Sequence, residues 1–364
     1  MSRYGVLIGE LLEGNPLKSS APCRIDSGGT WDIKALALPY EGLNPLTVNI
    51  ALDVRTHVSL LPFRSGWVKV SSDSYPHDEA YPLLEVPLGS PFGLFLTIAS
   101  YFKMHGVEIV IRSSSPANAG LGGSSTAAVA TIKAFSMANA LLGEREIDRG
   151  NILHLAYQAE DAISGGGCGM QDQGAAVFGG VNTWSWHYSR EGRVFERESI
   201  VERKGYEDMS RRLLVAFSGK KHLSTRINRR WVADFLSGRT RTGWIEANRV
   251  VNSLASHLKE GRWKEAARSL RDEVDIRRKI TPEAFTPVIA RLIEESETLN
   301  CGARFAGAGG GGSVWALGEP DAIERLRGVW QGILKQTRQG RILDCAIDPD
   351  GVRAEEDEEH RNER

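Results

Sequence analysis

Cysteine is scarce in this sequence, and no two cysteines form a CxxC pair. The four positions, Cys23, Cys168, Cys301 and Cys345, are scattered over 364 residues. This spacing argues against a structural zinc site and against a disulfide framework, so reduced thiols are expected. Cys168 lies in a glycine-rich segment, but the sequence offers no base partner for it, which makes it a weak nucleophile candidate.

The sequence also lacks a surplus of either charge and any long apolar run. Lys and Arg together number 45 against 46 for Asp and Glu, which gives a formal net charge of -1. Balanced charge gives no indication of a general nucleic-acid binder. No apolar run approaches the ~20 residues needed to cross a bilayer, and the N-terminus lacks a basic start followed by an apolar segment. We therefore expect a cytoplasmic protein with no nucleic-acid or membrane partner. The sequence is compatible with a homodimer.

The length of the chain favours two domains that share a cleft. At 364 residues it exceeds the usual size of one compact domain, and clefts between domains are where small ligands bind. Residues 1–20 show no clear period and are compatible with an extra strand or a loose arm. The charged stretch 189–212 is typical of a loop or domain junction, and the charged tail 354–364 is expected to be solvated and partly disordered.

Hydrophobic periodicity predicts a mixture of strands and helices. Alternating apolar residues indicate strands in LTVNIALDVRTHVSLLPF from Leu46, VEIVIRSSS from Val107, VNTWSW from Val181 and LLVAFSG from Leu213. In the first of these, Asp53 and Arg55 are expected to point away from the apolar face. Helical spacing is found over residues 88–104, 124–142, 148–163, 228–238, 243–260, 262–279 and 282–298, and again from Pro320.

The first motif that indicates chemistry is PANAGLGGSSTAA at residues 116–128, a glycine-rich loop between a predicted strand and a predicted helix. Glycines let backbone N–H groups approach phosphate oxygens, and the helix N-terminus adds unpaired donors. Ser124 and Ser125 supply hydroxyls that could ligate magnesium or contact phosphate, and either could cap the helix. A tight turn with a capped helix is the alternative. The GK[ST] ending of a Walker A loop is missing, as are the HRD and DFG signatures of protein kinases.

A second motif, YQAEDAISGGGCGMQDQ at residues 157–173, places two carboxylates on either side of a glycine-rich turn. Next to a nucleotide, Glu160 and Asp172 could divide the labour, one holding Mg²⁺ and the other accepting a hydroxyl proton. Asp161 is the rival of Glu160. The alternative interpretation is that these carboxylates are ordinary solvated charges.

A third motif, GAGGGGS at residues 307–313, satisfies the pattern GxGxxG. A dinucleotide fingerprint should follow a strand and open a helix, whereas here the strand-like SVWAL follows. We therefore expect a hairpin whose backbone approaches a ligand. A purely structural turn is the alternative.

Three segments in this order resemble the motifs of the GHMP kinase superfamily: APCRID, PANAGLGGSS and FAGAGGGGS. The resemblance extends from Ala21 to about Asp348. Within the superfamily, RIDSGGTWD and GMQDQGAAVFGG are similar to the sugar kinases of the D-glycero-D-manno-heptose 7-phosphate kinase and L-fucokinase branch, which phosphorylate an anomeric hydroxyl.

The resemblance implies an α+β protein of two domains. The N-terminal domain, residues 21–205, would be like domain 2 of ribosomal protein S5 and would bind ATP. The C-terminal domain, residues 206–350, would be ferredoxin-like. Residues 1–20 would form an N-terminal extension, and residues 351–364 a disordered tail.

The resemblance also implies a role for each matched residue, with ATP and Mg²⁺ as cofactors. Ser124 and Glu160 would hold the metal ion, Asp172 would be the catalytic base, and Arg24 would stabilise the phosphoryl transition state. The nucleotide phosphates would be bound by the loop residues Pro116, Gly120, Leu121, Gly122, Gly123, Ser124 and Ser125.

On the substrate side, the resemblance assigns the sugar hydroxyls to Asp32. The segment from Arg24 to Asp32 is one residue shorter than the family pattern, which leaves Asp26 as the alternative. Gly309 and Gly310 of the third motif would also contact substrate. The loop AFSGKKHLST is similar to a substrate-side loop of the heptose kinase branch, which implies that Lys220, Lys221 and His222 contact a substrate phosphate or a nucleotide phosphate. The simpler interpretation is that the two lysines are solvated surface charges.

The function expected from these residues is transfer of the γ-phosphate of ATP to a sugar hydroxyl, at the anomeric position of a heptose 7-phosphate or of a hexose such as fucose. Two alternatives remain open. One is a kinase of the same fold that acts on a non-sugar alcohol resembling mevalonate. The other is a relative that binds nucleotide or sugar without turnover.

Overall fold

The computed structural model of the chain describes residues 5–87, 89–189, 194–221 and 224–355. Within these ranges, no helix combines the length and the apolarity that a membrane crossing requires. The strands are β1 (Val6–Leu7), β2 (Leu17–Ser27), β3 (Leu46–Pro62), β4 (Trp67–Ser72), β5 (Glu79–Pro82), β6 (Met104–His105), β7 (Val107–Ser113), β8 (Val181–Trp186), β9 (Phe195–Ser199), β10 (Leu213–Phe217), β11 (Gly302–Phe305), β12 (Ser313–Leu317), β13 (Arg341–Leu343) and β14 (Arg353–Glu355).

Most helices lie where helical spacing was predicted and begin or end within a few residues of the expected positions. Those at Gly9–Leu12, Lys34–Ala37, Gln171–Phe178 and Tyr206–Arg211 were not predicted. They are α1 (Gly9–Leu12), α2 (Lys34–Ala37), α3 (Gly93–Phe102), α4 (Gly123–Leu141), α5 (Arg149–Ser164), α6 (Gln171–Phe178), α7 (Tyr206–Arg211), α8 (Ser224–Leu236), α9 (Arg241–Lys259), α10 (Trp263–Ile280), α11 (Pro287–Thr298) and α12 (Pro320–Leu334). Short 3₁₀ turns lie at Leu38–Leu43, Arg203–Gly205 and Pro282–Ala284.

One large sheet carries the N-terminal part of the chain, in the strand order β14-β2-β3-β7-β4-β5, with β8 and β9 attached along β3. The long antiparallel pair of β2 and β3 forms its centre. Their register shifts between Pro22 and Cys23, which pair with Arg55 and Leu52 respectively. A bulge locally increases strand twist and redirects the following side chains. Arg24, the next residue, is thereby placed at the point where the strand meets the glycine-rich loop.

The C-terminal part forms a separate antiparallel sheet in the order β11-β12-β10-β13. The first strand in sequence, β10, therefore lies between the third, β12, and the fourth, β13. With helices connecting β10 to β11 and β12 to β13, this is the ferredoxin-like arrangement expected from the sequence. The hairpin between β11 and β12 carries the third glycine motif and faces the N-terminal sheet.

The flanking and linking segments contain more regular structure than a loose arm, a loop and a disordered tail would. Residues 17–20 are part of β2, so the predicted extension of residues 1–20 enters the main sheet. Residues 189–212 contain β9 and α7 in addition to loop. The predicted disordered tail of residues 351–364 begins with β14, which pairs with β2 along Lys18, Ser19 and Ser20. A sheet edge can recruit even a charged segment through backbone hydrogen bonds alone. Residues 356–364 lie outside the described ranges.

Arg55 was expected to point away from the apolar face, but its side chain is buried. It forms an ion pair with Asp348 and donates to the Ser20 hydroxyl at 2.8 Å and to the Gly351 carbonyl at 2.8 Å. Asp53, in contrast, is exposed as expected. The Arg55–Asp348 pair therefore attaches the segment after β13 to the N-terminal sheet.

Asp348→Ala is expected to lower the free energy of unfolding by about 3–5 kcal/mol, because it leaves the buried Arg55 guanidinium without its counter-charge. Asp350→Ala is the matched control, since the 38% exposed Asp350 carboxylate pairs with the 71% exposed Arg203 side chain. A surface pair of that kind contributes about 0–1 kcal/mol. Urea unfolding of both variants measures the difference, and equal losses would show that the buried pair has no special role.

Candidate active site

A cavity of about 390 Å³ opens between the N-terminal sheet and the C-terminal hairpin. The glycine-rich loop before α4 forms one wall of it, and the ends of β2, α5 and α6 contribute charged side chains. Gly307, Ala308 and Asn228 reach it from the C-terminal part. The cavity is lined by nearly every residue that sequence reasoning assigned to chemistry, including Arg24, Asp32, Pro116, Gly120, Leu121, Gly122, Gly123, Ser124, Ser125, Glu160 and Asp172.

The glycine-rich loop follows β7 and opens directly into α4, as the sequence predicts. Gly120 and Gly122 have φ angles of 73° and 78°, a left-handed conformation that glycine adopts without strain. A Cβ atom on Gly122 would also lie 3.3 Å from the Asp172 side chain. The expectation of a serine cap was wrong: Gly122 is the N-cap, and no side chain caps α4. The first amide groups of α4 therefore retain their capacity to bind an anion.

Glu160 and Ser125 come together at the end of the loop. The Ser125 hydroxyl donates to Oε2 of Glu160 at 2.6 Å, and Ser124 is exposed at the mouth of the cavity. Burial raises the pKa of Glu160, the Ser125 hydrogen bond opposes this rise, and the charge of Asp172 adds to it. Ser125 is thus a second hydroxyl beside the predicted Ser124 that could assist a metal ion.

The predicted metal site fits a magnesium ion that is bound together with a nucleotide. The described parts of the chain hold no group of three or more His, Cys, Asp or Glu side chains suited to a metal ion. Mg²⁺ is usually held by one or two carboxylates together with phosphate oxygens and waters, so Glu160 with a serine hydroxyl is a sufficient protein contribution.

The rival carboxylate, Asp161, is directed elsewhere. It pairs with Lys34 at 3.3 Å and accepts a hydrogen bond from the backbone of Cys168 at 3.3 Å. Of these two neighbouring residues of α5, Glu160 lines the cavity and Asp161 does not. The structure therefore favours Glu160.

Arg24 and Asp172, which both line the cavity, form an ion pair. Arg24 Nε and one of its terminal nitrogens lie 2.8 and 2.7 Å from Oδ1 of Asp172, and the other terminal nitrogen donates to the Gly120 carbonyl at 2.6 Å. Burial alone would lower the pKa of Arg24, but Asp172 and Asp26 outweigh burial and raise it. Asp172 is the more accessible partner, with 26% of its side chain exposed against 5% for Arg24.

Asp32 lines the cavity from the loop after β2. Its two carboxylate oxygens accept backbone N–H groups of Thr30 and Gln171, each at 3.0 Å. Burial, followed by the nearby negative charge of Asp172, raises the pKa of Asp32 to about 6. This carboxylate is fixed by backbone donors, so the side chain is held ready to accept further hydrogen bonds from a ligand.

The substrate role that the sequence predicts for Asp32 can be tested with Gly169→Ala, because a Cβ at this position would lie 1.8 Å from Oδ2 of Asp32. Either the Asp32 side chain or the backbone before α6 must move. Gly167→Ala is the matched control, since the nearest atom to a Cβ there is 4.0 Å away. We expect Gly169→Ala, and not Gly167→Ala, to raise the KM for the substrate strongly; a rise for both variants alike would contradict a specific role of Asp32.

Asp26, the alternative to Asp32, does not line the cavity. Its carboxylate is buried, lies 3.2 Å from Arg304 and accepts the backbone N–H of Gly307 at 2.7 Å. Burial tends to raise the pKa of Asp26, but Arg304 and Arg24 outweigh it and hold the pKa below its usual range. The structure therefore favours Asp32 over Asp26 as the carboxylate at the cavity, and the contacts of Asp26 connect β2 to the C-terminal hairpin.

Gly309 and Gly310 also do not face the cavity. A Cβ on Gly309 would lie 2.8 Å from the Ala284 side chain, and one on Gly310 would lie 2.7 Å from Ile227. Both glycines pack inside the C-terminal part. The hairpin residues at the cavity are Gly307 and Ala308, and a Cβ on Gly307 would lie 3.1 Å from the Gly120 carbonyl oxygen.

Several site residues were not singled out from the sequence. Gln171 holds Asp32 through its backbone, and Gln173 donates to Glu160 at 2.7 Å. Asn228 of α8 lines the cavity, as does Thr30, whose φ of 95° is unusual for a β-branched residue. The polar run QDQ was the available signal for the two glutamines. Lys220 contributes its carbonyl oxygen to Gly312, while His222 lies outside the described residues.

Comparison with known proteins identifies two family domains in the chain. The model described as GHMP kinases N terminal domain matches residues 92–180, and the model described as GHMP kinases C terminal matches residues 254–335. The first match contains the glycine-rich loop, Glu160 and Asp172. The second covers helices of the C-terminal part.

Individual relatives and one solved structure agree with these matches. A D-glycero-alpha-D-manno-heptose 7-phosphate kinase of Campylobacter jejuni is 30% identical over 183 residues, which span 48% of this chain and about half, 52%, of that protein. A mevalonate kinase of Pyrococcus abyssi is 25% identical over 300 residues, 73% of this chain and 80% of that protein. The structure of Lactococcus lactis galactokinase complexed with galactose matches with a TM-score of 0.72 at 15% identity, covering 95% of this chain and 99% of that one. This last likeness shows the fold.

Proposed function

Since the chain belongs to the GHMP kinases, whose N-terminal and C-terminal domain models both match it, we propose that it transfers the γ-phosphoryl group of ATP to a hydroxyl group of a sugar. The observation that carries this proposal is the convergence of four features on one cavity. These are the uncapped N-terminus of α4, the Glu160 carboxylate, the Arg24–Asp172 pair and the buried Asp32 carboxylate.

In this proposal the nucleotide phosphates lie along the glycine-rich loop, with Gly120, Gly122 and Gly123 letting the backbone approach them. Glu160 and a serine hydroxyl would hold Mg²⁺, which would neutralise charge on the phosphate oxygens. Arg24 offsets negative charge as the phosphoryl group moves between oxygens. Its guanidinium is already fixed by Asp172 and by the Gly120 carbonyl, so little reorganisation is needed.

Asp172 is proposed to accept the proton of the attacking hydroxyl. Its carboxylate is the more exposed partner of the ion pair and lies beside the loop that binds phosphate. Oδ1 faces Arg24, which leaves Oδ2 for a hydroxyl. A positioned base of this kind contributes typically about 10²–10⁴-fold to a rate.

The acceptor is proposed to be a sugar, phosphorylated at its anomeric hydroxyl, with a heptose 7-phosphate or a hexose such as fucose as candidates. Asp32 supports a polyol, because a carboxylate held by backbone donors can accept hydrogen bonds from adjacent hydroxyls. The similarity to a heptose 7-phosphate kinase also supports a sugar acceptor. The similarity to a mevalonate kinase makes a non-sugar alcohol the competing acceptor.

A panel of acceptors tests the proposal. The protein is incubated with Mg-ATP and with free hexoses, free heptoses, their terminal phosphates, and mevalonate, and acceptor-dependent ADP release is measured. We expect release with one class of sugar and none above background with mevalonate. Release with mevalonate alone would overturn the sugar assignment, and ATP binding without release for any acceptor would favour a non-catalytic relative.

A further inference from the structure

Three consecutive residues in the first turn of α6 each hold a different charged group of the cavity. The backbone N–H of Gln171 donates to Asp32 at 3.0 Å, the Asp172 carboxylate pairs with Arg24 at 2.7 Å, and the side chain of Gln173 donates to Glu160 at 2.7 Å. Helical side chains one residue apart point about 100° apart, so a single turn can reach groups on different walls of the cavity.

We propose that Gln173 is a positioning residue for the metal ion, acting through Glu160. This inference rests on the proposed function, because it assigns to Glu160 the Mg²⁺ that accompanies ATP. Gln173 itself is fully buried and does not line the cavity. Its role is to fix the direction in which the Glu160 carboxylate points.

The orientation of the Glu160 carboxylate follows from which of its two oxygens accepts the hydrogen bonds. Gln173 Nε2 and the Ser125 hydroxyl both donate to Oε2 of Glu160, at 2.7 and 2.6 Å. Two donors occupy the accepting capacity of that oxygen, which leaves Oε1 as the oxygen that binds a metal ion. An ionised carboxylate has no proton to donate and can only accept hydrogen bonds. Gln173 must therefore present its NH₂ group to Glu160, which fixes the orientation of the side-chain amide.

The cost of losing this contact is expected to appear in metal affinity. Without Gln173, Oε2 of Glu160 keeps only the Ser125 hydroxyl as a donor, and the carboxylate is free to turn. Partners that orient a metal ligand typically change metal affinity by about 10–100-fold when they are removed. Gln173→Met keeps the approximate volume of the side chain and removes the donor.

The test measures metal binding without turnover. Mn²⁺ is titrated into the full-length protein saturated with a non-hydrolysable ATP analogue, and free Mn²⁺ is followed by electron paramagnetic resonance. We expect Gln173→Met to raise the Mn²⁺ dissociation constant by about 10–100-fold, while affinity for the metal-free nucleotide stays near that of the wild type. Gln158→Met, at an exposed position of α5, is the matched control and should leave both values unchanged.

Two outcomes separate this inference from the proposed function. If the wild type binds no Mn²⁺ with the nucleotide analogue, both fail. If the wild type binds it and the variant binds it equally well, only the role of Gln173 is overturned. Should Gln173→Met not fold, Gln173→Asn carries the same expectation, because its amide is one methylene too short to reach Oε2. A parallel loss of nucleotide and metal affinity would indicate a merely structural role.

Discussion

Replacing Asp172 with asparagine is expected to lower kcat by about 10²–10⁴-fold, the range for loss of a positioned base. The amide keeps the shape of the side chain but cannot take the proton of the attacking hydroxyl. ATP affinity should change little, because Arg24 keeps a second carboxylate, Asp26, at 3.6 Å and its hydrogen bond to Gly120. A change of kcat without a change of ATP affinity is the signature of a group that acts in the transition state.

The measurement pairs steady-state kinetics with calorimetric titration of the ATP analogue. Asp321→Asn is the control, because Asp321 occupies the first turn of α12 as Asp172 occupies that of α6, but is exposed and does not line the cavity. Equal losses of turnover and of nucleotide affinity in Asp172→Asn would contradict a role as base. They would indicate instead that the Arg24–Asp172 pair only shapes the phosphate site.

Glu160→Gln is expected to raise the Mg²⁺ concentration required for half-maximal activity by more than about tenfold and to lower kcat at saturating ATP. The amide is neutral and is a poorer ligand for a hard cation than a carboxylate. It also places an NH₂ or carbonyl group opposite both Gln173 and Ser125, which are arranged to donate to a carboxylate.

Asp161→Asn is the control for this prediction, since it alters a neighbouring carboxylate that pairs with Lys34 outside the cavity. We expect its Mg²⁺ dependence to match that of the wild type. If Asp161→Asn shifted the Mg²⁺ requirement and Glu160→Gln did not, the metal site would have to be reassigned to Asp161. Titrating activity against total Mg²⁺ at fixed ATP distinguishes the two results.

Features governed by local sequence were predictable. The strand, glycine loop and helix at residues 107–142 follow from periodicity and glycine placement, and Asp148 caps α5 as an N-cap aspartate should. The motifs were sufficient to indicate the family, and the family models match a segment in each of the two predicted domains. The shared site of the glycine-rich loop, Glu160 and Asp172 was also predictable, because these residues lie on elements that follow one another in the sequence.

Features governed by distant partners were not predictable from one sequence. The Asp26 carboxylate does not line the cavity and instead contacts Arg304, which is 278 positions away in the sequence. Gly309 likewise packs against Ala284. The alternation of apolar and polar residues along β3 predicted an exposed Arg55 side chain. Asp348 and Ser20 supply an ion pair and a hydrogen bond that offset the cost of burying its charge. In each case the deciding contact joins segments whose proximity only the tertiary fold establishes.

The central claim is that this cavity transfers a phosphoryl group from ATP to a sugar hydroxyl, and ³¹P NMR of the complete reaction tests it most directly. Loss of the ATP γ-phosphate signal should be matched by one new sugar phosphate signal, coupled to the anomeric proton and absent with Asp172→Asn. Consumption of ATP that yields only inorganic phosphate, or a phosphate attached to mevalonate and to no sugar, would contradict the claim.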